Sequence, residues 1–502
     1  MSTTTPTLAH RDRARDELGR SAFDVLVVGG GIIGISTAWT ASQAGLRVAL
    51  VDGGDFAGAT SSASTKLVHG GLRYLQTGNL RLVSENHRER RELARHVAPH
   101  LVNRRTFLVP VYRDGPHGAA KLGAGVALYS ALSGFGDGVG RLVGARRATE
   151  LVPSLRADGL RAAAVYTDHQ MNDARMAVMT VRAAVEAGAT VLNHARVEDL
   201  LVADGRVVGA EVRDVLTGEM FDVRATRVVN ATGPWLDRLR RLENPFAASS
   251  VRLSKGAHLV IRPPAQWQAG LTVPVDRSRV SFAIPWEDHL LVGTTDEEYD
   301  GDPARVAVTD ADVSQILGEL EPAVALASAD VVSTFSGVRV LPLTEGNSSH
   351  APRETVITEG PGGMLSVAGG KWTTFRHIGR QVADRLGVPL PTLDRMPLPG
   401  IASPVAITGW LIAEGLPADV AAHLASHYGS HALDLARLVR AEPRLADRLH
   451  PDGPDIAAQV VHARDHEWAA DEDDVLRRRT TVALRGLDTP AVRSAVRALL
   501  AH

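Results

Sequence analysis

The sequence predicts an α/β protein in three parts: a Rossmann-like domain built from separate chain segments, an antiparallel-sheet domain and a C-terminal α-helical domain. Three observations predict this arrangement. A strand–glycine turn–helix–strand unit occupies residues 23–52, paired strand patterns occupy residues 256–295, and Ala/Leu/Arg-rich helical periodicity begins near residue 405. A βαβ opening of this kind is typical of a doubly wound parallel sheet.

The first βαβ unit carries the pattern Gly-x-Gly-x-x-Gly between two apolar strands, FDVLVV and LRVALVD. Gly29 permits a tight turn, Gly31 lets a pyrophosphate approach the backbone, and Gly34 allows the helix to pack closely on the strand. Asp52 ends the second strand, where an acidic side chain accepts hydrogen bonds from ribose hydroxyls. The unit therefore predicts a dinucleotide site.

Two later segments extend this site. TRVVNATGPW is a further buried strand that runs into an Ala-Thr-Gly turn, and MLSVAGGKWTTF is a strand followed by a Gly-Gly turn and a helix start. A compact NAD domain would not need contacts so far apart along the chain, whereas one ligand the size of FAD would. Because the chain contains no cysteine, cysteinyl linkage and disulfides are excluded, and non-covalent FAD is expected.

Composition sets further limits. The formal net charge of −2 offers no global electrostatic field that would attract nucleic acid, so no nucleic-acid partner is expected. No metal site is predicted. The N-terminus is polar without an apolar core and is not a secretory signal, so a cytoplasmic location is expected. The acidic run 471–474 and basic run 477–479 are expected to cap a helix. The predicted division is a disordered leader (1–21), a discontinuous FAD-binding domain (22–100, 155–240 and 330–386), a substrate domain (101–154 and 241–329), a linker (387–404) and a helical C-terminal domain (405–502).

Motifs along most of the chain resemble those of the FAD-dependent, quinone-linked glycerol-3-phosphate dehydrogenases of the D-amino-acid-oxidase-like flavoprotein superfamily. In order they are FDVLVVGGGIIG, FAGATSSASTKLVHGGLRYLQTGNLRLV, VVNATGPW, SKGAHLV, FAIPWEDHLLVGTTDEEYDGDP, FSGVRVLP, VAGGKWTTF and HARDHEWAADEDDVLRRRT. The resemblance implies oxidation of sn-glycerol 3-phosphate to dihydroxyacetone phosphate by hydride transfer to flavin N5. A quinone acceptor, peripheral contact with the inner face of the cell membrane and a homodimer are further expectations.

The resemblance also implies roles for charged residues. A phosphate monoester carries nearly two negative charges, and Arg73, Arg339 and Arg353 stand where the family's motifs have substrate-binding arginines. His258 is expected to bind substrate and to act as the general base for the C2 hydroxyl, although a purely orienting role stays open. Lys371 is expected near the flavin pyrimidine ring, where positive charge stabilises the anionic reduced flavin. Arg339 and Lys371 therefore join His258 as catalytic candidates.

The candidate cofactor contacts form one larger set. Among them, Lys66 is assigned either to a cofactor phosphate or to loop geometry, and some hydroxyls are expected to serve as turn residues. The set comprises Gly29, Gly31, Gly34, Asp52, Thr60, Ser61, Ser62, Ser64, Thr65, Lys66, His69, Gly70, Gly71, Val197, Ala231, Thr232, Gly233, Gly369, Gly370, Lys371, Thr373 and Thr374.

Two other functions stay open on the sequence. One is a flavin-dependent oxidase or dehydrogenase of the same fold acting on an amino acid or a 2-hydroxy acid, which would need an arginine for its carboxylate. The other is a flavin-fold binding module without catalysis. Three candidate arginines fit a phosphate better than a carboxylate, and substrate-dependent bleaching of the flavin separates all three functions.

Overall fold

Two β-sheets form the frame of the protein in a computed structural model that describes residues 6–75, 79–276, 279–343, 355–388 and 396–501. Within these residues one sheet has eight strands with a parallel centre, and the other has ten strands and is mainly antiparallel. In chain order the strands are β1 (Ala22–Val28), β2 (Val48–Val51), β3 (Leu67–Val68), β4 (Val102–Tyr112), β5 (Arg141–Gly144), β6 (Leu160–Met171), β7 (Thr190–Leu192), β8 (Ala195–Ala203), β9 (Arg206–Asp214), β10 (Met220–Asn230), β11 (Val251–Ile261), β12 (Gly270–Pro274), β13 (Val280–Trp286), β14 (His289–Gly293), β15 (Glu297–Glu298), β16 (Val331–Pro342), β17 (Val356–Glu359) and β18 (Leu365–Ala368).

Helices cover both sheets and build the C-terminal part of the chain. They are α1 (Pro6–Arg20), α2 (Ile32–Gln43), α3 (Leu80–Glu92), α4 (Ala119–Leu132), α5 (Ala145–Leu151), α6 (Asp173–Glu186), α7 (Leu236–Glu243), α8 (Asp310–Leu320), α9 (Phe375–Arg385), α10 (Pro404–Ala413), α11 (Ala418–Tyr428), α12 (Ala432–Ala441), α13 (Ala457–His466), α14 (Glu472–Asp474) and α15 (Pro490–Ala501). Among the described residues, none of these helices has the length and apolar character needed to cross a membrane.

The eight-stranded sheet is buried on both faces, which explains why β1 is apolar at nearly every position. Val25 and Val27 pack with α2, α6 and α9, whereas Leu26 and Val28 face the opposite layer, which α1 and strands β8 to β10 build. β1 lies between β2 and β10, and all three run parallel. The βαβ unit and the Rossmann-like fold class predicted from the sequence are therefore confirmed.

The leader differs from its prediction. Residues 6–20 form helix α1 instead of a disordered segment, and Leu18 is fully buried in the apolar layer beneath the eight-stranded sheet. Arg11 is also buried, because its guanidinium donates to the side chain of Asn193 at 2.9 Å and pairs with Asp214 at 3.2 Å. The polar composition of this segment concealed a helix that buries Leu18 in the core and Arg11 in an ion pair.

The ten-stranded sheet takes in more of the chain than the sequence predicted. β3, β6 and β16 were assigned to the FAD-binding domain, but they pair in this sheet. β16 lies antiparallel along the full length of β11, with Arg339 opposite Ser254 and Phe335 opposite His258. The chain thus crosses between the sheets more often than expected, since strands adjacent in sequence to cofactor motifs find their antiparallel partners in the other domain.

The C-terminal helices form a domain with its own apolar core, as predicted, around Val420, Leu424 and Leu435. Buried ion pairs attach it to the rest of the molecule. Arg175 on α6 makes two hydrogen bonds of 2.6 and 2.7 Å to the carboxylate of Glu467, which is fully buried. Part of the predicted linker, residues 389–395, lies outside the described residues.

Candidate active site

A cavity of about 1540 Å³ lies where the two sheets meet the C-terminal domain. Gly31 lines it from the eight-stranded sheet, His258 and Arg339 line it from the ten-stranded sheet, and Arg478 lines it from the C-terminal domain. Ordinary small-molecule sites occupy roughly 300–1,000 Å³. The cavity therefore has room for a dinucleotide and a second, smaller molecule.

The glycine turn between β1 and α2 forms one wall of this cavity. A Cβ on Gly29 would lie 2.6 Å from the carbonyl oxygen of Ala231, and a Cβ on Gly34 would lie 1.9 Å from the carbonyl oxygen of Gly29. These two glycines serve close packing, and Gly29 also has φ of +105°. Gly31 instead faces the cavity directly before α2 begins, so the positive end of the helix dipole lies at the wall, as a phosphate requires. This wall fits a pyrophosphate.

Asp52 is held at the end of β2 by two backbone donors. Its Oδ2 accepts from the N–H of Gly30 at 2.6 Å, and its Oδ1 accepts from the N–H of Gly54 at 2.8 Å. Burial raises the pKa of Asp52 to about 6, although both N–H bonds favour the ionised form. Because a carboxylate has about four acceptor positions and the side chain lines the cavity, capacity remains for the hydroxyls of a ribose.

The hydroxyl-rich loop, residues 60–65, lines the cavity along its whole length. Most of its hydroxyls also hold the loop in place, which agrees with the expected turn role. Ser61 Oγ accepts the N–H of Ile32 at 2.9 Å and so anchors the first turn of α2. Three others donate to nearby groups: Thr60 to the carbonyl of Val338 at 2.6 Å, Ser62 to the carbonyl of Ala57 at 2.7 Å, and Ser64 to the carboxylate of Asp173 at 2.7 Å.

Lys66 is bonded to groups close to the hydroxyl-rich loop. Its ammonium forms a buried ion pair with Asp173, and the backbone has φ of +56°. Asp173 also accepts from the N–H and hydroxyl of Ser64, so one carboxylate fixes the end of the loop. Of the two roles predicted for Lys66, the geometry favours loop structure. Lys66 still lines the cavity, where its ammonium lies 5.4 Å from the ring centroid of Phe335.

Lys371 occupies the turn between β18 and α9. Gly369 and Gly370 precede it with φ of +77° and +103°, conformations that favour glycine, and all three line the cavity. Thr373 Oγ1 accepts the N–H of His69 at 3.2 Å and so joins the start of the following helix to the segment after β3. The turn therefore places Lys371 at the cavity wall, and its expected position near the flavin pyrimidine ring stays a prediction.

The remaining cofactor candidates divide into two groups. Gly34, Gly70 and Thr374 are not cavity-lining: the N–H of Gly70 donates to Asp168 at 3.1 Å, so it is a structural position. Of the candidate substrate-binding arginines, Arg353 lies outside the described residues, and the side chain of Arg73 is not described. The cavity-lining candidates not yet described are His69, Gly71, Val197, Ala231, Thr232 and Gly233.

His258 lies on β11 at the cavity, and its side chain is almost completely buried. Its Nε2 is 3.0 Å from Thr65 Oγ1, and its ring stacks on Phe335 with centroids 4.8 Å apart and planes 10° apart. Burial, with the positive charges of Arg339 and Lys66, lowers the pKa of His258 to about 3. The imidazole is therefore neutral at physiological pH, as a proton acceptor must be, but a pKa this low makes it a weak base while the positive charges beside it are not neutralised.

Arg339 on β16 reaches the cavity across β11. Its guanidinium donates to Thr294 Oγ1 at 2.9 Å and to the carbonyl oxygen of Thr295 at 3.1 Å. It also pairs with Asp296 at 3.2 Å. A Cβ on Gly256 would lie 2.5 Å from its Nη2, so Gly256 leaves the space that the guanidinium fills. These hydrogen bonds thus fix the orientation of the guanidinium. The Arg339 side chain is 25% exposed and lines the cavity.

Sequence reasoning missed the contribution of the C-terminal domain. Asp471 accepts the N–H of Asp474 at 2.9 Å, which is the predicted cap. The basic residues do more, because Arg478 and Arg479 are buried against both oxygens of Asp55, two residues after the Gly53 that lines the cavity. The number of basic residues could have indicated this role, because three consecutive arginines are more than are needed to stabilise one helix end.

Comparison with known proteins agrees with this geometry. Residues 24–385 match the family model described as FAD dependent oxidoreductase, and residues 365–501 match the C-terminal domain of alpha-glycerophosphate oxidase. The chain therefore belongs to the FAD-dependent oxidoreductase family, and FAD is its cofactor.

Proteins similar to this chain narrow the FAD-dependent oxidoreductase family to one group. The chain is 36% identical to the glycerol-3-phosphate dehydrogenase of Synechocystis, with 93% of this chain and 90% of that protein covered. It is 34% identical to the aerobic glycerol-3-phosphate dehydrogenase of Staphylococcus haemolyticus, with 84% and 80% covered. The solved glycerol-3-phosphate dehydrogenase from Bacillus halodurans, complexed with FAD, superposes with a TM-score of 0.80 at 26% identity, covering 99% of this chain and 94% of that one. These matches confirm the resemblance to the glycerol-3-phosphate dehydrogenases.

Proposed function

We propose that the protein oxidises sn-glycerol 3-phosphate to dihydroxyacetone phosphate, with bound FAD accepting the hydride from C2 and a quinone as the final acceptor. One observation carries this proposal. His258 and Arg339, a neutral imidazole and an oriented guanidinium, line the same cavity as the glycine turn that fits a pyrophosphate. The names of the relatives supply the substrate.

In this proposal Arg339 binds the substrate phosphate. Its planar fork can offer a bidentate contact, and its bonds to Thr294 and Thr295 hold it in one orientation before substrate arrives. The phosphate must compete with Asp296, which is 3.2 Å from the guanidinium. A dianion competes better than a single carboxylate, so this pair favours a phosphate over the carboxylate of an amino acid or 2-hydroxy acid.

His258 takes the proton of the C2 hydroxyl. It is neutral in the free enzyme, and the Thr65 hydroxyl together with the Phe335 ring holds the imidazole in place. The proton that arrives creates an imidazolium close to Arg339, a repulsion that a bound phosphate dianion reduces. Substrate binding and proton transfer are therefore coupled through the charge of the phosphate.

Anaerobic titration of the purified yellow protein tests the substrate. Addition of sn-glycerol 3-phosphate should bleach the flavin absorbance, and D- or L-amino acids and 2-hydroxy acids should not. Bleaching by one of those acids instead would support the related oxidase, and no bleaching by any substrate would support a binding module. Reoxidation by a soluble quinone faster than by dissolved oxygen is the result expected for a quinone-linked enzyme.

We also propose that the enzyme resides in the cytoplasm and contacts the inner face of the cell membrane through α4 and the segment that follows. Leu128 lines the cavity and is 45% exposed, and Phe135 and Val139 beyond it are 54% and 60% exposed. α4 and the segment after it thus carry exposed apolar side chains beginning at a cavity-lining residue, which suits an acceptor that is dissolved in lipid. The expected homodimer stays a prediction, which sedimentation analysis can test.

Flotation with phosphatidylglycerol/phosphatidylcholine vesicles tests the membrane contact. Phe135→Asn should reduce vesicle binding, and asparagine tolerates the φ of +56° found at this position. Phe246→Asn is the matched control, because Phe246 is 95% exposed but belongs to a different segment of the chain, after α7. Equal losses in both variants, or no binding by the unaltered protein, would contradict the proposal.

A further inference from the structure

Two histidines and a glutamate meet where the C-terminal domain contacts the ten-stranded sheet. His423 and His427 lie one turn apart on α11, and Glu287 lies in the turn between β13 and β14. Glu287 Oε1 is 3.8 Å from His423 Nδ1 and 3.6 Å from His427 Nε2. Ligands about 2.1 Å from a tetrahedral zinc ion lie about 3.4 Å apart, so these atoms need little movement to share one ion.

The outer nitrogens of both rings are already bonded in the way that metal ligands require. His423 Nε2 is 2.9 Å from Asp455 Oδ1, a fully buried carboxylate, and His427 Nδ1 is 3.0 Å from the carbonyl oxygen of His423. Metal-binding histidines almost always use their second nitrogen for such a bond, which fixes the ring and its tautomer. Both remaining nitrogens therefore point at the same carboxylate oxygen.

The carboxylate has its own support. Glu287 Oε2 accepts a hydrogen bond from the guanidinium of Arg485, which leaves Oε1 for the histidines. The backbone of Glu287 is in the left-handed region, with φ of +54°. Arg485 in turn donates to Asp288 at 2.6 Å. A cluster of similar composition, Asp55 with His194 and Asp474, differs because arginines occupy both oxygens of Asp55.

We propose that His423, His427 and Glu287 bind one divalent transition-metal ion that fastens the C-terminal domain to the ten-stranded sheet. Two imidazoles and a carboxylate suit zinc or iron and disfavour magnesium or calcium. The ion completes a contact between α11 and the β13–β14 turn, and it lies outside the active site. Asp455 also accepts from Thr481, a cavity-lining residue, so the site supports the wall of the active-site cavity.

The alternative to a bound metal ion is a protonated His423 beside Glu287. Burial opposes it, but the carboxylates of Asp455 and Glu287 raise the pKa of His423 to about 9. An imidazolium would then hold the domains together without metal. Zinc binding distinguishes the two, because a protonated histidine binds no metal and zinc must displace the proton.

Equilibrium dialysis of the FAD-loaded protein against ZnSO₄, after removal of metals with a chelator, tests the site. The unaltered protein should retain about one Zn²⁺ per chain. His427→Gln and Glu287→Gln should lose it and keep their FAD. His466→Gln is the matched control: His462 and His466 form another pair one turn apart, on α13, with ring centroids 4.9 Å apart, outside this cluster.

A second measurement does not depend on folding of the variants. Co²⁺ added to the unaltered protein should give absorption at wavelengths beyond the flavin bands, with the intensity of a low-symmetry site, and Zn²⁺ should abolish it. Zinc should also raise the midpoint of thermal unfolding by several degrees. Absence of bound zinc and of the Co²⁺ bands, or equal zinc loss in His427→Gln and His466→Gln, would overturn the proposal and leave the proton as the occupant.

Discussion

The two walls of the active-site cavity recognise their ligands by different means. The wall from the eight-stranded sheet works through backbone: a glycine turn, the start of α2 and N–H groups that fix Asp52. The facing wall works through side chains, with His258 held by Thr65 and Arg339 held by Thr294. The first wall can bind the same cofactor in many enzymes, whereas in the proposed function the second wall sets the substrate, because side chains can change without altering the fold.

The largest effect is expected on the backbone wall. Gly31→Val should abolish FAD loading, because its branched side chain would occupy the space that the pyrophosphate needs beside Ser61. Flavin absorbance of the purified variant measures this. Gly125→Val is the control, since Gly125 lines the cavity on α4 and a Cβ there meets no atom within 4 Å. A normal flavin spectrum in Gly31→Val would mean that this wall binds its ligand elsewhere.

Lys66 tests the difference between the two walls, because it is a charged side chain near the cofactor wall that is bonded to another residue of the protein, Asp173. Lys66→Met should destabilise the protein by about 3–5 kcal/mol, since Asp173 would stay buried without its partner. Urea unfolding measures the loss. Lys121→Met, at an exposed cavity-lining lysine, should cost little. Unchanged stability with weakened FAD binding would instead assign Lys66 to a cofactor phosphate.

On the side-chain wall, His258→Asn should slow anaerobic flavin reduction by about 10²-fold or more with FAD content unchanged, because asparagine can orient a hydroxyl but cannot accept its proton. The pKa of His258 is lowered to about 3, so the ring is already neutral at pH 5 and stays neutral up to pH 8. Protonation of the substrate phosphate at low pH should change the rate of flavin reduction equally in both proteins. The ratio of the two stopped-flow rates should therefore not change with pH. A ratio that falls towards 1 at pH 5 would give His258 a higher pKa than its burial implies.

Arg339→Ala should produce the smallest of these effects, a loss of about 2 kcal/mol or roughly 30-fold in kcat/KM, because one charge-assisted phosphate contact disappears. FAD binding should not change. Arg305→Ala is the control, since Arg305 also lines the cavity but its side chain is 87% exposed. Equal kinetics in the two variants would remove Arg339 from the substrate site.

The sequence predicted the backbone wall well and the side-chain wall less completely. Gly29, Gly31, Gly34 and Asp52 could be assigned because their geometry is set within one βαβ unit, and local patterns report local structure. The partner of His258 could not, because Thr65 lies 193 residues away in a loop, and no local pattern shows that this loop meets β11. The resemblance to a family supplied His258 and Arg339 without their contacts.

Pairing between distant strands also explains the corrected boundaries. β6 and β16 looked like extensions of the cofactor domain because they adjoin its motifs, and only their antiparallel partners assign them to the other sheet. In α1, a segment rich in charge was taken for a leader because its buried pair, Arg11 with Asp214, joins residues 203 positions apart. Electrostatic partners at such separations leave no periodic signal in the sequence.

The contact of Arg478 with Asp55 has a consequence for the order of biosynthesis. These residues are 423 positions apart, so a ribosome adding 5–20 residues per second needs about 20 to 85 s to make the second after the first. During that interval the glycine turn exists without the arginines that later cover Asp55. Completion of the cofactor cavity is therefore a step that can only follow synthesis of Arg478, and we expect a chain truncated before that residue to leave Asp55 without this partner.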